Sequence, residues 1–323
     1  MEEKLLRVEG LTKLFPVGYK KAITAINHIS FDINEAETFG LIGESGSGKS
    51  TVGRCLLELL KPTEGKLFYK GVEYSSMSGR EKRGILSEMQ MVFQDPNYSL
   101  NPRKNVYDTV KDTLLVKKAL TSEQVEKMTV EALEKVHLAE ADWGKYPHQL
   151  SAGQQQRVGI ARAISTQPKF IVLDEPTSSL DVSIRAEIID LLNQLQKRLG
   201  VSYLFISHDL STIRYLCHRV AVMYLGSIVE YGTVEQLFNN FAHPYSKALL
   251  ASVMIADPDQ KRLDYKLSGE IPSSINLPEG CLLASRCAEA EDICFKENPD
   301  MVEIENGHFV KCHHAGCKKC KHQ

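Results

Sequence analysis

The sequence predicts an α/β protein whose sheet carries a phosphate-binding loop at one edge, with a loop-rich, cysteine-rich extension behind it. Three observations predict this. Residues Gly43 to Thr51 read GESGSGKST and fit G-x-x-x-x-G-K-[ST] between a short apolar run, Thr38 to Ile42, and a helical pattern of Val52, Cys55, Leu56 and Leu59. Two uninterrupted apolar strands, Phe170 to Leu173 and Val201 to Ile206, each end in polar residues, Asp174-Glu175 and Ser207-His208. Six of the eight cysteines fall between Cys281 and Cys320.

At 323 residues the chain is long enough for two or three units of ordinary domain size. A net charge of −2 gives no general reason to seek nucleic acid. The opening MEEKLLRVEG lacks the basic and apolar regions of a signal peptide. The longest apolar-leaning run, Ala248 to Ala256, is far short of the ~20 residues that span a bilayer. These features lead us to expect a cytoplasmic chain whose membrane role, if any, comes through a partner.

Residues 3 to 35 alternate apolar and polar in short pieces, predicting two or three strands with turns at Glu9-Gly10 and near Pro16-Val17-Gly18. Phe15, at a strand end, is placed to pack in the core or to stack on a base. In the glycine loop that follows, Gly43, Glu44, Ser45, Gly46, Ser47, Gly48, Lys49, Ser50 and Thr51 are the candidate phosphate-binding residues. Glycines let backbone N–H groups close around phosphate oxygens, and the helix N-terminus adds partial positive charge. Lys49 would reach the β- and γ-phosphates and Ser50 would ligate Mg²⁺. The motif and both its flanks point to a nucleoside triphosphate.

Lys61 to Gly65 stops the helix, Lys66 to Tyr69 resumes as strand, and Met89 to Phe93 is a short apolar strand ending in Gln94-Asp95-Pro96. The pattern then turns helical to about residue 150. Thr121-x-x-Gln124 is a capping box ahead of Val125, Met128, Ala132, Leu133 and Val136 on one face. Ser151-x-x-Gln154, within LSAGQQQR, is a second box ahead of Val158, Ile160, Ala161 and Ile164. Gly153 sits in that first turn. Glycine there costs ~1 kcal/mol, so something should approach the backbone closely, and an anion is the natural candidate.

Acidic residues after a buried parallel strand lie at the ligand edge of such a sheet. Asp174 suits Mg²⁺ and Glu175 suits activation of a water. A turn from Pro176 to Leu180, a helix from about Val182 to Leu199 and a stop at Gly200 follow. His208, closing the next buried strand, is a candidate catalytic residue. A hairpin around Leu225-Gly226 and a helix from Val234 complete this part.

In order and spacing, residues 4 to 240 resemble the ATP-binding cassette (ABC) family. GESGSGKST is similar to its Walker A, Gln94 to its Q-loop, LSAGQ to its signature, FIVLDE to its Walker B, Asp181 to its D-loop and His208 to its switch histidine. The resemblance implies a P-loop NTPase with a RecA-like core, an antiparallel β subdomain and an inserted helical subdomain. It places the core at residues 1–94 and 158–240, the helical subdomain at 95–157 and an extension at 241–323. It implies that Phe15 stacks adenine, that Gln94 joins Ser50 and Asp174 at Mg²⁺, and that Ser151, Gly153, Gln154 and Asp181 serve ATP bound by a second subunit. Ala152 departs from the family's usual glycine, adding only a methyl group.

QDPNYSLNPR (Gln94 to Arg103), HPYSKALL (His243 to Leu250) and GEIPSSINLPEGCLLASRC (Gly269 to Cys287) narrow the resemblance to oligopeptide and dipeptide importer ATPases, of the F kind. The partners implied are a second, D-type ATPase, two membrane permeases whose cytoplasmic helix would meet Pro96 to Pro102, and indirectly an extracytoplasmic binding protein. Nucleic acid is not among them. The implied location is peripheral, on the cytoplasmic face of the membrane. The alternatives are a soluble ABC protein outside transport or an importer for another solute such as nickel.

Cys281, Cys287, Cys294 and Cys312 offer four thiols in a loop-rich segment, which suits Zn²⁺ or an iron–sulfur cluster. The resemblance implies a [4Fe–4S] cluster. Residues 257 to 323 hold few apolar side chains, so metal bonds would supply a constraint that burial does not. Cys317 and Cys320, with His313 and His314, form a weaker metal-like group. Cys55 and Cys217 read as small packing residues.

Overall fold

The computed structural model describes residues 4–18, 21–95, 99–116, 120–252 and 265–315. In chain order the elements are β1 (Lys4–Pro16), β2 (Ala22–Asn34), β3 (Thr38–Ile42), α1 (Lys49–Leu56), β4 (Glu64–Tyr69), β5 (Val72–Glu73), α2 (Arg83–Leu86) and β6 (Met89–Val92). Next come α3 (Val106–Leu115), α4 (Ser122–Lys135), α5 (Ala152–Ser165), β7 (Phe170–Asp174), α6 (Val182–Leu199) and β8 (Ser202–Ile206). The chain continues through α7 (Leu210–Leu216), β9 (Arg219–Tyr224), β10 (Ser227–Thr233), α8 (Val234–Asn239) and α9 (Pro244–Ala251). It closes with α10 (Asp292–Lys296), β11 (Val302–Glu305) and β12 (His308–Val310). They fall in two compact units.

The first unit takes Met1–Leu6, Ile33–Thr38 and Phe68–Ile206. Its centre is three parallel strands, with β7 between β6 and β8 (Met89 opposite Phe170, Asp174 opposite Ile206). All five residues of β7 and of β8 are buried, the burial that parallel strands covered on both faces require. The Tyr203 hydroxyl donates to the Leu192 carbonyl at 3.3 Å and ties α6 to β8. Helices α3, α4 and α5 pack on one another. Both expected capping boxes are present, at Thr121/Gln124 and Ser151/Gln154. The apolar face of α4 is as read, with Val125, Ala132 and Leu133 buried, except that Met128 is only half-buried beside buried Thr129. Helix α6 runs between its Asp181 cap and left-handed Gly200 (φ 62°), the bounds read from sequence.

The second unit takes Arg7–Asp32, Phe39–Leu67 and Ser207–Gln323. Strands β2, β1 and β4 lie side by side in that order. The expected turn at Glu9-Gly10 is not one: β1 runs through it, and Gly10 takes φ 58° against the His28 ring. Leu59, read as part of the α1 face, lies past the helix end and is 57% exposed. A second set of strands runs β3, β9, β10, β12, β11. Strand β3 is parallel to β9, and β9 and β10 form a hairpin whose Leu225 (φ 43°) and Gly226 (φ 83°) are both left-handed, matching the twist of the strands.

The tail departs from the loop-rich reading. β12 adds to β10 with Glu230 opposite Val310, and β11 adds to β12. Beneath this pairing, His308 Nε2 lies 2.8 Å from Glu230 Oε1, both residues fully buried. The same carboxylate accepts the backbone N–H groups of Ala242 and His243. Leu282, Leu283 and Val310 are buried too, so the tail is held partly by ordinary burial and pairing. No helix among the described residues is long and apolar enough to cross a membrane.

Candidate functional site

In the second unit, fully buried β3 delivers the chain to Gly43, where the loop begins. A Cβ at Gly43 (φ 154°) would stand 2.1 Å from the Met223 carbonyl oxygen, and one at Gly48 (φ 104°) 2.1 Å from that of Ala25. No other residue fits either place. Ser45 and Gly46 are exposed at the loop's tip. Ser47 donates its N–H to the Glu44 carbonyl at 3.2 Å. The buried Lys49 side chain curls back into the loop, its Nζ donating to Gly43 O (2.7 Å), Glu44 O (2.9 Å) and Ser47 Oγ (3.4 Å). No side chain caps the start of α1 at Gly48, which leaves the helix end presenting N–H groups as an anion site does. Ser50 and Thr51 follow, half-buried.

Two residues not singled out from sequence meet this loop. Tyr245, the second residue of α9, accepts the Glu44 backbone N–H at its hydroxyl, 2.8 Å away. Arg286, between Cys281 and Cys287, donates both terminal nitrogens to the Glu44 carboxylate, at 3.1 and 3.4 Å. With Leu249, Tyr265 and Lys266 these groups line a cavity of 730 Å³. HPYSKALL and SRC were visible as segments, but nothing in their spacing points to the loop. His208 is exposed just past β8, and half-buried Phe15 stands at the end of β1 with Lys13 Nζ 5.0 Å from its ring centroid.

In the first unit, Asp174 ends β7 with 2% of its surface exposed, and Glu175 follows in the left-handed region at φ 45°. That conformation is held at both ends. The Glu175 N–H donates to Ile206 O at 3.0 Å, while its carbonyl accepts the Ser178 N–H and hydroxyl at 3.2 and 3.1 Å. Gln94 Nε2 donates to Glu175 Oε2 at 3.1 Å, so Gln94 and Glu175 are brought together across 81 positions of chain.

Ser151 and Gln154 cap one another at the start of α5, and Gln154 Nε2 also donates to Asp142 at 2.9 Å. The close approach expected at Gly153 comes from inside the chain: a Cβ there would lie 2.6 Å from Ile184 Cγ2. Asp181 caps α6, and the Ile184 N–H it accepts holds its carboxyl below the usual range. Ile184 thus touches both the signature turn and the Asp181 turn.

The cysteines Cys55, Cys217, Cys281, Cys287, Cys294 and Cys312 are free thiols. Cys55 is fully buried, and burial pushes its thiol up to about 11, as suits a packing residue. Burial also raises Cys281, Cys287 and Cys312, the last to about 11, and each feels the charge of others in the set. The four thiols share a neighbourhood and are chemically right for a cluster. Their arrangement does not fit one: among the described residues no three His, Cys, Asp or Glu side chains form a group that could hold a metal ion. The structure therefore lends the expected [4Fe–4S] site no support. Ring nitrogens of His313 and His314 bond to the Glu297 and Glu289 carbonyls, and Cys317 and Cys320 lie outside the described residues, as do residues 96–98.

Family models match the chain twice, as ABC transporter over residues 26–178 and as oligopeptide/dipeptide transporter, C-terminal region, over 229–294. Its relatives include the putative oligopeptide transport ATP-binding protein YkfD of Bacillus subtilis, 44% identical over 96% of this chain and 95% of that one. The dipeptide transport ATP-binding protein DppF of Haemophilus influenzae is 40% identical over 96% of each. Among solved structures, cbiO1 of Clostridium perfringens, part of the ABC transporter complex cbiONQ, is 30% identical with a TM-score of 0.66, over 74% of this chain and 92% of that one. The dimeric cassette MJ0796 bound to ADP and Pi is 29% identical with a TM-score of 0.64, over 71% and 98%. With its glycine loop, its Asp174-Glu175 strand end and a likeness over 96% of its length, the chain belongs to the ABC transporter ATPases, in the group that carries the oligopeptide/dipeptide C-terminal region.

Proposed function

We propose that this chain is the F-type ATP-hydrolysing subunit of a peptide importer, pairing head to tail with a D-type ATPase beneath two membrane permeases. The relatives' names and the matched C-terminal region support the peptide assignment. The observation that carries the catalytic reading is the hydrogen bond from Gln94 to Glu175, beside buried Asp174 at the end of β7. It ties the carboxylate that would orient water to the segment leading into the helices of residues 95–157. In this reading residues 1–94 and 158–240 form the core and 241–323 the extension.

Lys49, now spent on loop carbonyls, exchanges them for phosphate oxygens, and the N–H groups of Gly46 to Thr51 close on the same charge. Ser50, Asp174 and Gln94 are the residues that would hold Mg²⁺, which when bound screens the phosphates and draws charge from the bond that breaks. Glu175 takes the proton of the attacking water as the water oxygen adds to the γ-phosphorus and the bond to the β,γ-bridging oxygen breaks, releasing ADP and phosphate. His208 steadies the γ-phosphate, Phe15 stacks adenine, and Ser151, Gly153, Gln154 and Asp181 meet the partner's ATP. Pro96 to Pro102 meet a permease helix, at the cytoplasmic face of the membrane. The cluster on Cys281, Cys287, Cys294 and Cys312 rests on resemblance alone, and iron and zinc analysis of anaerobically purified protein tests it.

The test of the main reading is Glu175→Gln in the assembled transporter. ATP should still bind and hold the subunits as a stable pair, while turnover and uptake of a labelled peptide fall by about 10²-fold or more. Near-normal hydrolysis sinks the role of Glu175, and peptide uptake that is indifferent to the chain sinks the transport assignment.

A further inference from the structure

The phosphate-binding loop is gripped from behind by the C-terminal region, on both the backbone and the side chain of Glu44. The backbone contact concerns the Gly43–Glu44 peptide group. A trans peptide points its carbonyl and N–H to opposite sides. The Gly43 carbonyl points inward and accepts Lys49 Nζ at 2.7 Å, while the Glu44 N–H points outward and donates to the Tyr245 hydroxyl at 2.8 Å. One peptide plane is therefore fixed at both ends, and rotating it would move the very carbonyl that holds the lysine amine. The side-chain contact comes from Arg286, which takes the Glu44 carboxylate through two nitrogens and also reaches the Tyr224 hydroxyl at 3.4 Å.

The grip is itself rigid. Tyr245 is fully buried and Tyr224 nearly so, their rings 4.6 Å apart, and the Arg286 guanidinium lies 5.7 Å from the centroid of the Tyr224 ring. Arg286 is only 8% exposed, so this is an arginine sunk in protein and matched by a planar acceptor. A surface ion pair would carry little weight; one this desolvated fixes position.

We propose that Tyr245 and Arg286 are positioning residues for the phosphate-binding loop: they set the Gly43–Glu44 peptide so that Lys49 is aimed at the nucleotide's phosphates. The proposal rests on the reading of Gly43 to Thr51 as the ATP loop and extends it to residues outside the cassette. Tyr245 lies in α9 and Arg286 in the cysteine loop, so the C-terminal region becomes part of the nucleotide site without touching nucleotide.

The test measures ATP affinity, steady-state turnover and thermal melting on the full chain with its partners. Tyr245→Phe removes one oxygen and no volume, and should weaken ATP binding by about three- to tenfold, the worth of one hydrogen bond, with kcat kept within about twofold. Arg286→Met should do the same, and Arg286→Lys should recover part of the loss, since an ammonium can pair with Glu44 but not in the two-nitrogen geometry. Tyr265→Phe, which deletes a hydroxyl bonded to Glu289 beside the same cavity, should leave affinity unchanged. Should Arg286→Met fail to fold, Tyr245→Phe carries the test alone. Unchanged affinity in Tyr245→Phe overturns the proposal, as does an equal loss in Tyr265→Phe. A wild-type chain that binds no ATP overturns the parent reading instead.

Discussion

Glu175 occupies a backbone region that a non-glycine residue enters at a cost of order 1–3 kcal/mol, and three hydrogen bonds keep it there. Its carboxylate then meets Gln94, a neutral donor. Gln94→Glu would replace that donor with a second carboxylate at the same distance. Two such groups share a proton, so the acid limb of the pH–rate profile should move up by about a unit and turnover at pH 7 should drop. A profile that falls in height without moving would show that the contact is only spatial.

His243 is a residue-scale case of a different kind. It caps α9 by accepting the Tyr245 N–H at Nδ1, and burial pushes its imidazole from 6.5 down to about 4, against a smaller opposing pull from Glu230. Because the folded value lies below the unfolded one, the unfolded chain binds more protons between these limits. Stability should therefore be full above pH 6.5 and decline as pH falls toward 4, by about 3 kcal/mol. His243→Asn keeps a capping acceptor and should flatten that slope in urea melts taken from pH 7 to pH 4.

At the scale of elements, the α5–α6 contact turns on Gly153 and Ile184. Gly153→Ala puts a methyl group 2.6 Å from Ile184 Cγ2 and should destabilise the first unit by about 1–3 kcal/mol, with Ile184→Ala restoring part of it. The β10–β12 junction depends on Glu230. Glu230→Leu would strand the Ala242 and His243 N–H groups together with the His308 ring, for a loss of about 3 kcal/mol or more. Amide exchange at Val310 should rise with it.

What could be read from the chain at this scale follows from how local the signal is. Asp181 and Gly200 bracket α6 with their own chemistry, and Phe170 to Leu173 is apolar because both faces of β7 are covered. β11 alternates over only four residues and β12 has three, too short a pattern to mark a strand by itself, and they pair because β10 offers an edge. The Gln94–Glu175 bond was legible as two motifs, since each marks itself. Tyr245 and Arg286 were not, because their partner lies 201 and 242 positions away and neither belongs to a motif with phosphate chemistry.

For the molecule as a whole, the resemblance carried the fold because order and spacing of motifs survive where local patterns blur. At the cysteines it stands without such support, because among the described residues the four thiols form no group that could hold a metal ion. The glycine wedge has a kinetic consequence. With Gly43 lodged against Met223, Gly48 against Ala25 and the Glu44 N–H held by Tyr245, the loop is braced on three sides before nucleotide arrives. Nucleotide should then associate in a single step, its observed rate rising in proportion to concentration with no plateau in stopped-flow traces. Dissociation alone would separate tight nucleotides from loose ones, and residence time, rather than capture, would set how long the chain stays loaded.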